Sequence, residues 1–197
     1  MTGPDFESLL SDVRSCRICD AHLPLGPRPV VRMAPSARLL IIGQAPGTRV
    51  HESGIPWDDR SGDRLRDWLC VDKETFYDET RIAIMPMGFC YPGVNPKGGD
   101  LPPRPECAPA WHDRLRAHLP HIELTLLVGS YAQSRYLGKN AKKTMTENVR
   151  CFRDYLEDGF FPTPHPSWRT TGWAKKNPWF ESDVLPAFRE KVRPLLV

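Results

Sequence analysis

Four short apolar runs, each bounded by turn-forming residues, limit the folds that this chain can adopt. The first and third are almost wholly aliphatic, which is typical of central strands that are covered on both faces. All four are shorter than an ordinary helix, so they predict four buried β-strands. The runs are Arg38–Gly43, Arg81–Met85, Leu124–Gly129 and Gly159–Thr163.

Segments with a helical spacing of apolar residues lie between and around these runs. They are Phe6–Arg14, Ser61–Cys70, Pro105–His118, Ser130–Leu137 and Phe180–Leu196. In the second segment, for example, Leu65, Trp68 and Leu69 share one helical face. Strands that alternate with helices form parallel sheets with helices on both faces. We therefore predict an α/β fold, a single three-layer domain over residues 1–197 with a central parallel four-stranded sheet.

Length and composition agree with such a domain. The 197 residues suffice for one sizeable core, and the 21 prolines indicate long ordered loops rather than long helices. No stretch reaches the roughly 20 apolar residues of a membrane span, and the N-terminus lacks the pattern of a secretory signal. We therefore expect a cytoplasmic protein without a membrane partner. A net charge of +3 permits an anionic partner without demanding one.

Two predicted loops follow strands at the sheet edge where parallel sheets bind ligands. Gly43–Gly47, with the sequence Gly-Gln-Ala-Pro-Gly, follows the first strand and lacks the spacing of nucleotide phosphate loops. Its two glycines instead allow backbone N–H groups to face a carbonyl or an anion. His165 follows the last strand between two prolines, which fix its backbone for hydrogen bonding to a ligand. A lone histidine at such a place is also often structural.

Trp57 follows the first of these loops by ten residues. Beside backbone donors, its ring could stack on a planar ligand, although a tryptophan more often packs into a core. Taken separately, Gly43–Gly47, Trp57 and His165 do not identify a ligand.

Together, these motifs resemble the uracil-DNA glycosylase superfamily. That superfamily has a strand-end motif of the GEAPG or GQDPY type, similar to Gly43–Gly47, and a C-terminal HPS motif, similar to His165–Ser167. The Cys-x-x-Cys pair at Cys16–Cys19 is similar to the iron–sulfur branch called family four. Asp58–Asp63 is closer to another branch, family five, which accepts a broader range of deaminated bases. The resemblance extends from about Cys16 to Arg169, most of the chain.

The resemblance implies a structural [4Fe-4S] cluster. In family four, a Cys-x-x-Cys pair and two further cysteines about sixteen residues apart hold this cluster. The cysteines that match are Cys16, Cys19, Cys90 and Cys107. Four thiolates also suit zinc, so the residue chemistry alone leaves two metals open. Cys70 and Cys151 match nothing in the pattern, and we expect them to be buried thiols rather than disulfide partners.

The resemblance also implies base excision from DNA. A uracil, or another deaminated base, would be flipped out of the duplex into a pocket at the sheet edge, where its glycosidic bond is hydrolysed. The enzyme mainly has to stabilise negative charge on the leaving base. The resemblance implies that His165 and Gln44 are catalytic, and that His165 donates to the uracil O2 region.

The resemblance also implies which residues contact the base and which contact the DNA backbone. Those expected to contact the base are Gly43, Gln44, Ala45, Pro46, Gly47 and Trp57, the last by stacking. Ser167 would bind phosphate, and Trp168 and Arg169 would fill the gap that the flipped base leaves in the duplex.

Three positions depart from the branch patterns. Ala45 stands where the best-known branch has a water-activating aspartate, and Gln44 stands where family four usually has glutamate. The group that activates water is therefore unassigned, and Asp58–Asp59 are carboxylates close by in sequence. Pro86 occupies the place of a uracil-reading asparagine, for which Asn95 is a candidate substitute.

Three hypotheses follow from these patterns. The first is a monomeric uracil-DNA glycosylase that acts in base excision repair on DNA containing uracil or other deaminated bases. The second is a catalytically weak or inactive member of the superfamily, which binds DNA or damaged bases without excising them. The missing carboxylate and asparagine motivate it. The third is an α/β metal-binding protein whose loops only mimic the motifs.

Overall fold

A four-stranded parallel sheet forms the centre of the computed structural model, which describes residues 4–197 of the expected 1–197 domain. The strands are β1 (Leu39–Ile42), β2 (Ile82–Ile84), β3 (Leu124–Val128) and β4 (Phe160–Thr163). Their order in the sheet is β2-β1-β3-β4, and every pair is parallel. Each strand lies inside one predicted run, so the four predicted strands are confirmed.

The central position of β1 explains why its sequence has no polar face. Leu39 lies opposite Ile82 of β2 on one side and Leu124 of β3 on the other. Successive side chains of a strand point to opposite faces. Leu40 and Ile42 accordingly pack into one core layer, whereas Leu39 and Ile41 pack into the other.

Helices cover both faces of this sheet, which confirms the predicted three-layer α/β architecture. Residues of α1, α5 and α6 pack with Leu40 and Ile42, and residues of α3, α4 and α9 pack with Leu39 and Ile41. Within residues 4–197, no helix is both long and apolar enough to pass through a membrane. The helices are α1 (Pro4–Arg14), α2 (Thr48–Ser53), α3 (Arg60–Leu69), α4 (Lys73–Tyr77), α5 (Cys107–Arg116), α6 (Ser130–Leu137), α7 (Met145–Arg150), α8 (Arg169–Lys176) and α9 (Leu185–Val192).

The helix predicted over Phe180–Leu196 is wrong as one continuous α-helix. Phe180–Val184 forms a π-helical turn, α9 follows, and Arg193–Leu195 forms a 3-10 turn. Pro186 and Pro194 each stand in the first turn of the segment that they begin, where a missing N–H costs no helical hydrogen bond. The helices α2, α4 and α7 were not predicted, because five or six residues are too few to show a clear apolar period. The helix α8 was not predicted either, because Thr170 is its only buried residue and it has no apolar face.

Candidate functional site

A cavity of about 420 Å³ lies at the carboxyl edge of the sheet, between the loops that follow β1, β2 and β4. This volume is within the usual range of small-molecule sites. The cavity brings together all the residues predicted to contact base or DNA, although they are up to 126 positions apart in the sequence. These residues are Gly43, Gln44, Ala45, Pro46, Gly47, Trp57, His165, Ser167, Trp168 and Arg169.

The loop Gly43–Gly47 is held in place by the segment that follows β2. Met87 N donates to Gly43 O, and Gly88 N donates to Gln44 O, each at 2.9 Å. Within the described residues, the N–H groups of Gln44 and Ala45 make no hydrogen bond. The loop therefore has its carbonyls tied back and two backbone donors free beside the cavity.

Trp57 forms a wall of the cavity between Gly43 and His165. Its ring centroid is 5.5 Å from that of His165, with 32° between the ring planes. A Cβ atom on Gly43 would lie 2.7 Å from Cζ2 of the Trp57 ring, closer than such atoms can approach. The first glycine of the loop is therefore required by the tryptophan, which the sequence alone did not indicate.

The backbone of Trp57 is strained and is supported by α3 and α4. Its φ of 59° is in the left-handed region, which costs a non-glycine residue on the order of 1 kcal/mol. The buried Arg66 donates to Trp57 O at 3.3 Å and contacts the hydroxyl of Tyr77 at the same distance. Asp63 balances the arginine charge at 2.6 Å. Gly62 lies so close to Trp57 O that no Cβ atom fits there.

His165 is a half-buried side chain on the loop that follows β4. The backbone N–H of Ser167, at 2.8 Å, and the Thr170 hydroxyl both donate to its carbonyl oxygen. Burial lowers the pKa of the His165 imidazole below its ordinary value, and the negative charge of Asp59 partly opposes this. The imidazole is therefore neutral at neutral pH, with one ring N–H available as a donor.

Two carboxylates line the cavity, Asp59 and Asp100, whereas Asp58 does not. Asp59 is the N-cap of α3, and its Oδ1 accepts from Gly62 N at 2.8 Å. Asp100 lies on the loop after β2, where desolvation, and then the charge of Asp59, raises the pKa of its carboxyl. Asp100 was not among the predicted site residues, because no motif marks it and only the tertiary fold brings it next to Gly47.

The base-reading amide considered at Asn95 is not found at the cavity wall. Asn95 lies outside the lining residues, and its Oδ1 accepts from Lys97 N at 2.9 Å within a tight turn. Pro86 itself lines the cavity. The proposed substitution of Asn95 for the asparagine is therefore wrong in this structure.

The rim of the cavity combines an exposed aromatic ring with two arginines. Trp168 is 77% exposed, and the Arg169 guanidinium lies 5.2 Å from its ring centroid. Arg64 of α3 donates to Ser167 O at 2.8 Å and to the Thr171 hydroxyl at 2.9 Å. Because both acceptors are neutral, they leave the charge of Arg64 uncompensated. Such a rim is suited to stacking on bases and to contacting phosphates.

A second, smaller cavity is lined by the four predicted metal ligands, Cys16, Cys19, Cys90 and Cys107, together with Phe89 and Trp111 among others. All four are free thiols, and the last three cysteines are buried. Burial, with a smaller contribution from the neighbouring cysteines, raises the pKa of Cys90 to about 11 and that of Cys107 to about 12. These thiols are therefore protonated at neutral pH, and a metal ion bound there would have to displace their protons.

The donor set of this cavity fits a sulfur-rich metal centre. Four cysteine sulfurs suit either zinc or an iron–sulfur cluster. The backbone N–H of Phe89 donates to Cys107 Sγ at 3.3 Å, and the indole N–H of Trp111 is buried without an acceptor among the described residues. Within residues 4–197, no group of three or more His, Cys, Asp or Glu side chains has the arrangement of a metal site.

The two remaining cysteines are not both buried as expected. Cys70 is exposed, because it caps the C-terminal end of α3 in the left-handed conformation and turns toward solvent. Cys151 is partly buried at the end of α7. The prediction of two buried thiols is therefore wrong for Cys70.

Comparison with known families agrees with this geometry. The family model described as the uracil DNA glycosylase superfamily matches residues 31–189. The match contains the whole sheet and all the predicted residues of the larger cavity, and it begins after Cys16 and Cys19. Members of this superfamily have a glycosylase-type function on DNA. On its matched length, its sheet and its motifs, the chain belongs to the uracil DNA glycosylase superfamily.

Proposed function

We propose that this protein is a DNA glycosylase that removes uracil, and other deaminated bases, by hydrolysing the N-glycosidic bond in base excision repair. The observation that carries the proposal is the convergence of Gly43–Gly47, Trp57 and His165 on one cavity. Free backbone donors, an aromatic wall and a neutral imidazole are the groups that recognise a flat base and stabilise negative charge on it.

A base flipped into this cavity would lie with one edge toward Gly43–Gly47. The free N–H groups of Gln44 and Ala45 would donate to the carbonyl oxygens of the base. Trp57 would provide an apolar surface for the ring. Because these donors are fixed by the hydrogen bonds from Met87 and Gly88, they need no reorganisation when charge develops.

Bond cleavage leaves the bonding electron pair on the base and a positive, oxocarbenium-like sugar. The neutral His165 would donate its N–H to the base oxygen that gains negative charge. Water then adds to C1′ of the sugar, and its proton passes to a carboxylate or to solvent. Asp59 is our candidate for holding this water and for balancing the sugar charge, because the hydrogen bond from Gly62 fixes its carboxylate beside the cavity.

The rim would hold the DNA from which the base has been flipped. Trp168 would enter the gap in the base stack, and Ser167 and Arg169 would contact phosphates. Arg64 supports this arrangement from α3, because it binds the Ser167 carbonyl and the Thr171 hydroxyl.

The decisive test is cleavage of oligonucleotides that contain one uracil, hypoxanthine or xanthine, followed by alkali. The wild-type protein should give an alkali-labile abasic product, and His165→Ala should reduce the rate by roughly 10²–10³-fold, as for the loss of other donors to a developing anion. Trp57→Ala should also reduce it. The exposed His121→Ala is the matched control and should react at the wild-type rate. No product from any of the three bases would exclude the glycosylase.

A weak or inactive superfamily member remains the second candidate function. Pro86 lines the cavity where family four presents an amide, so the base edge has no side-chain reader at that place. The same assay separates the two candidates. Tight binding of damaged oligonucleotides without any abasic product would favour the binding protein.

We propose further that Cys16, Cys19, Cys90 and Cys107 hold a [4Fe-4S] cluster, with zinc as the alternative. The supporting observation is that the four thiols line one cavity. When bound, the group would supply a structural cross-link between the N-terminal segment, the loop after β2 and α5. Iron, sulfide and zinc analysis of the purified protein distinguishes the two metals.

A further inference from the structure

Trp111 carries an unused hydrogen-bond donor at the cavity of the four cysteines. The residue lies on α5, is only 7% exposed and lines that cavity. Its Nε1 atom is buried and has no partner in the described part of the chain. A buried tryptophan usually finds an acceptor for its N–H, and leaving such a donor unpaired destabilises the folded protein.

The position of Trp111 on α5 explains how its ring reaches the cysteines. It follows Cys107 by four residues, so both side chains lie on the same face of the helix. Arg114, three residues further on, packs over the Trp111 ring at 5.0 Å from its centroid. Its own helix therefore holds the indole at the same cavity as Cys107.

We propose that the indole N–H of Trp111 donates a hydrogen bond to a sulfur atom of the metal centre that the four cysteines hold. This inference rests on the proposed iron–sulfur cluster. Sulfur atoms bound to iron carry negative charge and accept hydrogen bonds, and such bonds adjust the properties of the centre. The N–H of Phe89 on Cys107 Sγ is a first donor of this kind, and Trp111 adds a second.

Removal of this donor has a spectroscopic consequence that a packing role does not have. A hydrogen bond withdraws electron density from the sulfur and weakens the iron–sulfur bond. Without it, the iron–sulfur stretching frequency rises, and the band becomes less sensitive to exchange of H₂O for D₂O.

The test compares Trp111→Phe with Trp173→Phe by iron analysis and resonance Raman spectroscopy. Trp173 lies on α8, and its N–H already has an acceptor, the Thr146 hydroxyl at 2.8 Å. We expect Trp111→Phe to keep the wild-type iron content, to raise the stretching frequency and to lose part of the D₂O shift. Trp173→Phe should have the wild-type spectrum.

Two results would overturn the inference in different ways. A Trp111→Phe protein with full iron content and the wild-type spectrum would exclude the hydrogen bond and leave the cluster in place. A wild-type protein without an iron–sulfur cluster would exclude the cluster and this inference with it.

A second variant covers the case in which Trp111→Phe binds no iron. Incorporation of β-(3-benzothienyl)alanine at position 111 keeps the shape of the indole and replaces the N–H by sulfur. A raised frequency, or loss of iron on this single-group change, supports the hydrogen bond. An unchanged spectrum excludes it.

Discussion

At the scale of single residues, the larger cavity depends on contacts that allow no extra atom. Gly43 and Gly62 both lie against Trp57, the first against its ring and the second against its carbonyl. Interiors pack so closely that one methyl group shifts its neighbours. The observed position of Trp57 therefore requires glycine both in the loop after β1 and in α3.

Gly43→Ala tests this contact. The new methyl group would force the Trp57 ring away from Gly43, and a displacement of about 1 Å at an active site reduces rates by up to roughly 10²-fold. The rate of base excision in single-turnover assays should therefore fall by more than about tenfold. The control is Gly172→Ala on α8, where the new methyl group meets nothing within 4 Å apart from the backbone of its own helix. An unchanged rate in Gly43→Ala would remove Trp57 from the base site.

Asp59→Asn separates the two neighbouring aspartates. Asparagine is also a good N-cap, so α3 should keep its start while the negative charge at the cavity is lost. We expect the excision rate to fall by roughly 10²-fold, the lower part of the range for general base catalysis. Asp58→Asn carries the same charge change outside the cavity wall and should keep the wild-type rate. Equal rates for the two variants would make Asp100 the next candidate.

At the scale of elements, α5 connects the cavity of the four cysteines to the larger cavity. Its buried His112 donates from Nε2 to Pro86 O at 3.0 Å, and its Nδ1 therefore accepts from the Tyr136 hydroxyl at 2.6 Å. Burial lowers the pKa of His112 to about 4. These two hydrogen bonds hold Pro86 at the larger cavity, while Cys107 and Trp111 of the same helix line the cavity of the four cysteines.

The pH dependence of stability should reveal His112. Its pKa is lower in the folded protein than the ordinary value near 6.5, so the unfolded chain takes up the proton first as the pH falls. Stability from this group is therefore present at pH 7 and is lost toward pH 4, by about 2 kcal/mol between pH 7 and pH 5. Urea unfolding of wild type and His112→Gln at both pH values measures it. The same loss in both proteins would contradict the assignment.

At the scale of the whole molecule, the position of the positive side chains matters more than the net charge. The net charge of +3 does not by itself indicate a nucleic-acid partner. Arg64 and Arg169, however, lie at one rim together with the exposed Trp168. Lys142 is paired with Asp154 at 2.8 Å and lies elsewhere. The local charge at the rim therefore matters more than the total.

Arg169→Ala should weaken oligonucleotide binding and reduce its salt dependence. Loss of one phosphate contact reduces the slope of log K against log salt by about one. Lys139→Ala removes the same charge from an exposed turn outside the cavity and should leave the slope unchanged. Fluorescence anisotropy at several salt concentrations measures both variants. A wild-type slope in Arg169→Ala would remove Arg169 from the DNA contact.

The site was predictable in part, for reasons that particular residues make clear. Gly43–Gly47, Trp57 and His165 belong to local motifs of a few residues, which can be recognised without a fold. Asp100 could not be found in this way, since it lies 53 positions from Gly47 and meets it only through the loop after β2. The sequence also could not tell which of Asp58 and Asp59 faces the cavity. Asp59 does so as the N-cap of α3.

The sequence by itself determined the four strands and the α/β order, because continuous aliphatic runs such as Leu39–Ile42 can only be buried on both faces. It also determined which residue types are available as donors and as metal ligands. Only the tertiary structure decided that Cys16, Cys19, Cys90 and Cys107 line one cavity and that Trp57 lies against Gly43. The physical reason is that burial, pKa and contact depend on neighbours that are distant in the chain and close in space.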